Sequence, residues 1–143
     1  MLRKLALILI VMAVAIPLIA QQAGKPKVKK VPATYTSPAS GPEMYVAYCA
    51  SCHGKDAKGK GPAAPAMKVP PTDLTLLAKN NRGAFPSDRF AAILTGKQAI
   101  SAHGSEDMPV WGPIFWKLSQ SHPAEVQQRI YNLDKYVQSL QQK

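Results

Sequence analysis

Cys49 and Cys52 are the only cysteines of this chain, and His53 follows them directly, so that residues 49 to 53 read Cys-Ala-Ser-Cys-His. Residues three apart on a helix share a face, so both thiols can reach one flat ligand. This is the pattern of covalent c-type haem attachment, in which each thiol adds to a vinyl group of the macrocycle. The adjacent histidine is then placed to bind the iron as its proximal ligand. A structural zinc site would need a second pair of ligands, and no further cysteine exists to supply one. A thioredoxin-type dithiol would need βαβ surroundings, and none are legible. The expectation is therefore one covalent haem c, held by Cys49 and Cys52 and ligated by His53, with the fold built around it.

The ends of the chain divide from this centre by composition. Arg3 and Lys4 precede an unbroken apolar run from Leu5 to Ala20. That is the layout of a secretory signal, slightly short of the ~20 residues of a bilayer span. Residues 1–20 are expected to be a signal peptide cleaved after Ala20 or, because Leu18 is large for the −3 position, a retained membrane anchor. Residues 21–40 carry Lys25, Lys27, Lys29 and Lys30 with Pro26, Pro32 and Pro38. They read as a disordered, basic, Pro-rich linker. Residues 41–143 form one domain, of a size often stapled by a metal or cofactor.

The formal charge of +10 is concentrated outside that domain, which has 12 Lys+Arg against 8 Asp+Glu, a net of +4. No basic helix or aromatic platform accompanies it, so nucleic acid is not an expected partner. The linker charge suits anionic lipid or solubility.

Within the domain the apolar periodicity is helical throughout. Pro42 and Glu43 suit a helix start. Tyr45, Tyr48, Cys49 and Cys52 then fall at i, i+3, i+4 and i+7, with Gly54 suited to a left-handed cap. Gly59, Gly61, Pro62, Pro65, Pro70 and Pro71 exclude regular structure from the next stretch. Such a loop can wrap a haem and offer a backbone carbonyl to the second nitrogen of His53, with Pro62 and Pro65 the nearest candidates. Thr72 or Asp73 is expected to cap a turn through Leu77, Ser87 a helix through Leu94 ending at Gly96, and Gly112-Pro113 to open another through Leu118. The longest helix should start near Ser121 or His122 and bury Val126, Ile130, Leu133, Val137 and Leu140. The expected fold is all-α, with about four to five helices.

The stretch from Gly41 to the last helix resembles class I cytochrome c, the small monohaem electron carriers. Gly41 and Tyr45 are similar to that family's small residue and aromatic on its first helix, and Leu133 and Tyr136 to a leucine and aromatic on its last. His103-Gly104, followed by Met108-Pro109-Val110-Trp111-Gly112, looks like a bacterial distal-ligand loop. The resemblance implies close approach of the first and last helices at Gly41. It also implies haem attachment outside the cytoplasm, hence a periplasmic domain, either free or tethered through residues 1–20.

The sixth iron ligand separates the possible functions. Met44 lies one turn before the cysteines and reads as packing, and Met67 in the wrapping loop as a haem contact. Met108, far along the chain and beside Pro109, has the reach to approach the opposite face of the ring and is the expected distal ligand. His103 is its rival, and His122 reads as a cap or solvated residue. With His53 and Met108 bound, the iron has no open position, and the soft thioether favours the ferrous state. That describes an electron carrier cycling between ferrous and ferric iron and passing electrons between redox partner proteins, rather than an enzyme. The alternatives are a haem enzyme or gas-binding protein with an open iron site, or a haem subunit of an oxidase or dehydrogenase complex. Lys55, Lys58 and Lys60 crowd the loop after the motif and suit an acidic docking partner.

Overall fold

The computed structural model describes residues 28–29, 31–98 and 109–142. Among them are five α-helices and no strand: α1 Gly41–Tyr48, α2 Ala50–His53, α3 Ser87–Thr95, α4 Trp111–Leu118 and α5 Pro123–Ser139. The all-α expectation is met. The leader, the linker as far as Lys27, and both His103 and Met108 lie outside the described residues.

Helix α1 begins where its sequence says it should. Ser40 Oγ accepts the Glu43 amide at 3.2 Å, and Pro42 and Glu43 occupy the first turn. The helix does not run unbroken to His53. Cys49 (φ −112°, ψ −36°) stands at a joint between α1 and α2. Hydrogen bonds cross that joint, from the Cys49 amide to Tyr45 O and from the His53 amide to Cys49 O, both 2.9 Å. Gly54 ends α2 at φ 80°, ψ 157°. This is not the expected left-handed cap but an extended conformation that is essentially glycine's alone.

Residues 54–86 contain only short 3₁₀ turns, Ala64–Ala66, Leu74–Leu76 and Lys79–Asn81, as their prolines and glycines require. Asp73 caps the second, its Oδ1 accepting the Thr75 amide at 2.9 Å. Ser87 is not the cap of α3 but its first residue, Pro86 standing at the cap position. Its hydroxyl instead donates to Asp134 Oδ2 on α5 at 3.1 Å. Likewise His122 holds the cap position of α5 without capping it with its side chain. Its Nδ1 lies 3.0 Å from Ser119 O.

The core forms where α1 crosses α5. Met44, Tyr45, Phe115, Leu133 and Val137 are all at most 1% exposed, each contributing about 1.5–3 kcal/mol by burial. Gly41 permits the approach: a Cβ there would stand 2.8 Å from Tyr136 Cβ and closer still to the Asn132 carbonyl. Tyr45 packs on Tyr136 at 5.3 Å between ring centroids, and Tyr48 on Trp111 at 5.0 Å, which brings in α4. Four of the five expected α5 residues are buried and Leu140 is half-buried. Two charged residues share the buried face, Arg129 and Asp134.

The linker expectation needs correcting at its C-terminal end, where residues 34–38 are docked on the domain. Tyr48 OH donates to Thr34 O (2.8 Å) and Asn132 Nδ2 to Pro38 O (2.8 Å), while Thr36 is buried. Proline and lysine content signalled disorder across the whole span, but Thr34, Thr36 and Pro38 supply hydrogen-bonding groups to partners that the fold brings to them.

Candidate haem site

Cys49 and His53, four residues apart, reach the wall of one cavity of about 270 Å³. Its opposite walls are apolar: Leu74 and Leu77 from the turn after the wrapping loop, Phe90, Ile93 and Leu94 from α3, and Val137 from α5. Leu74, Leu77, Phe90 and Ile93 are only half-buried by protein. A broad apolar ligand would complete their burial. Polar side chains enter the lining only through Thr72, Asn80, Asn81 and Arg89 besides the motif itself. Cys52, half-buried, immediately precedes His53 and is not part of the lining.

The imidazole is oriented by a backbone carbonyl. His53 Nδ1 lies 2.9 Å from Thr72 O, a geometry in which Nδ1–H donates and Nε2 is the nitrogen suited to iron. The expected donor of that carbonyl, Pro62 or Pro65, is wrong. Both prolines are exposed, whereas the Thr72 carbonyl, just after Pro70-Pro71, is the one within reach of the ring. The loop is tied down nearby by Gly59 N–H to His53 O (2.8 Å), Gly61 N–H to Cys52 O (2.9 Å) and Leu74 N–H to Ala57 O (2.8 Å).

Burial keeps the Cys49 thiol neutral. Burial, with a smaller effect of the nearby Cys52, pushes the Cys49 thiol up to about 12, so it stays protonated at neutral pH. Burial, ahead of the charge at Cys49, also holds the Tyr45 phenol above its ordinary range. Its hydroxyl therefore remains a donor, to Gly54 O at 2.8 Å.

Of the methionines, Met44 is fully buried in packing as expected, and Met67 is half-buried outside the cavity lining rather than a contact of it. Lys55, Lys58 and Lys60 are all exposed. Sequence reasoning missed Arg129, although its position three residues after Val126 and four before Leu133 places it on the apolar face.

A helical domain that sets the Cys49 thiol and a carbonyl-anchored imidazole at the wall of an apolar cavity, with Cys52 between them in the chain, has the arrangement of a c-type cytochrome domain. Residues 36–119 match the family described as Cytochrome C oxidase, cbb3-type, subunit III, and the chain belongs to that family. It carries covalent haem c, for which Cys49 and Cys52 are the available cysteines. No curated protein and no solved structure matches the chain. The matched region begins in the docked segment before α1 and ends at the close of α4, so α5, which completes the cavity wall through Val137, lies beyond it.

Proposed function

We propose that this chain is an exported electron carrier in which Cys49 and Cys52 would hold the haem through two thioethers, and His53 and Met108 would ligate its iron. The observation that carries the reading is the His53 Nδ1–Thr72 O contact at the wall of an apolar cavity that Cys49 also lines. The haem supplies one-electron ferrous–ferric chemistry when bound. The chain's residues do the rest: Thr72 O orients the imidazole and raises its basicity, and the leucines, Phe90, Ile93 and Val137 exclude water. Met108 lies outside the described residues, and its assignment rests on its place in the chain and on Pro109 beside it.

Residues 1–20 would take the domain to the periplasm, where it works free or tethered to the cytoplasmic membrane. Its partners are redox proteins, and the exposed Lys55, Lys58 and Lys60 suit an acidic docking face, steering association at low salt. The family description favours a second form of the same reading, in which the domain passes electrons as a haem subunit within an oxidase complex.

One preparation tests the proposal. Protein matured with c-type haem machinery should keep its red colour through acid–acetone extraction and gain the mass of one haem. Cys49→Ala, Cys52→Ala and His53→Ala should each alter that attachment or the spectrum. Colour that washes out of the unfolded wild-type chain would overturn the assignment.

A further inference from the structure

The Leu74 carbonyl and the Ala78 amide are four residues apart, the pair that would close one turn of α-helix. They are bridged instead by the side chain of Gln141, just past the end of α5. Gln141 Nε2 donates to Leu74 O at 2.7 Å and Oε1 accepts the Ala78 amide at 2.8 Å. The second Nε2 proton goes to Val137 O at 2.9 Å. Both protons of the carboxamide and its oxygen are therefore engaged. A side chain inserted into the helical ladder in this way holds the turn open, and residues 74–81 accordingly run as two separate 3₁₀ turns.

That turn begins two residues after Thr72, whose carbonyl faces His53, and it contributes Leu74 and Leu77 to the cavity wall. On its other side Leu74 N–H is tied to Ala57 O at 2.8 Å. We propose that Gln141 is a positioning residue for His53, its carboxamide wedging open the 74–78 turn and so setting the Thr72 carbonyl against the imidazole Nδ1. The proposal rests on the reading of His53 as the proximal iron ligand. Gln141 lies beyond the residues matched by the family, just past the end of α5.

Only a carboxamide of this length serves, since it must donate to two backbone carbonyls and accept from a backbone amide. In Gln141→Leu all three interactions are lost and Ala78 N–H can close on Leu74 O, drawing Thr72 away from the ring. A weaker Nδ1–H bond makes the imidazole a poorer donor to ferric iron, so the reduction potential should rise. Gln141→Asn keeps an uncharged amide but falls a methylene short, and should shift the potential in the same direction. Among the described residues Gln142 bonds Thr75, through its amide and side chain, both at 2.9 Å, and Gln142→Ala is the control.

The experiment uses full-length holoprotein, with midpoint potential and the NMR-detected exchange of the His53 Nδ1 proton as readouts. Gln141→Leu should raise the potential and speed the exchange by about tenfold, the worth of one net hydrogen bond. Gln142→Ala should leave both at wild-type values. If Gln141→Leu does not fold, Gln141→Asn decides by the same two readouts. A holoprotein variant with wild-type potential and wild-type exchange overturns the proposal alone. Wild-type protein that retains no covalent haem overturns the functional reading, and the proposal with it.

Discussion

Arg129 Nη1 donates to Thr36 Oγ1 across 3.3 Å, joining the last helix to a segment 93 residues earlier that precedes the first. The Thr36 hydroxyl lies 2.7 Å from Tyr48 OH, whose own proton goes to Thr34 O, so Thr36 donates to Tyr48 and the three bonds run head to tail. Arg129 is fully buried. Its Nε donates to Ser119 Oγ at 3.0 Å and its Nη2 to Glu125 at 2.8 Å, while the Tyr35 ring lies 4.9 Å from the guanidinium carbon. One guanidinium thus fastens the segment before α1, the α4–α5 connection and α5 together.

Removing that group should loosen all three at once. Arg129→Met is expected to cost about 3 kcal/mol, since it strips one member from a buried network and strands the others. The melting temperature should fall on the order of 15 °C. Hydrogen exchange should quicken at the amides of residues 34–37 more than at those of α2. Uniform protection across both regions would show that the network does not hold the segment.

The same network predicts a pH dependence. The hydrogen bond from Arg129 lowers the Glu125 carboxyl below its ordinary range, against an opposing effect of burial. A carboxylate held below its unfolded value stabilises the fold fully above about pH 5, and that contribution is lost as pH falls through the folded value. The melting temperatures of wild type and Glu125→Gln should therefore differ at pH 7 and converge as the pH falls through the folded value. A constant difference over that range would assign the effect to something other than ionisation.

Gly41→Ala tests the contact between α1 and α5. The added methyl would sit 2.8 Å from Tyr136 Cβ and against the Asn132 carbonyl, neither the far end of a flexible side chain. Overpacking of this kind costs about 2 kcal/mol. Thermal unfolding should show the loss, and the Tyr45–Tyr136 packing should loosen in near-UV circular dichroism. An unchanged melting temperature would mean that the helices can separate at no cost.

Met108→Ala should leave haem attachment intact, because the thioethers and His53 do not depend on it. The potential should fall, and added cyanide or carbon monoxide should bind more readily, as expected when a thioether ligand is lost. The weak far-red band of sulfur-ligated ferric haem should vanish. Survival of that band in Met108→Ala would exclude Met108, and loss of a bis-imidazole spectrum in His103→Ala would name His103 instead.

Local chemistry and periodicity were enough to determine the helical elements and the attachment motif. Val126, Ile130, Leu133 and Val137 recur at helical spacing and are buried on α5. Cys49, Cys52 and His53 stand within five residues in the spacing expected of haem attachment. Both signals are carried by residues close in the chain, so a reading along the chain detects them.

Tertiary structure alone decided which distant groups meet. Thr72, not Pro62 or Pro65, presents its carbonyl to His53, because the path of the loop and not its composition sets the carbonyl's direction. Arg129 is buried because Thr36, Ser119 and Glu125 converge on it from three segments. Residues 34–38, disordered by composition, are docked because Tyr48 and Asn132 offer donors to their carbonyls. A hydrogen bond depends on two partners and their geometry, and where those partners stand tens of residues apart, only the folded chain brings them within reach.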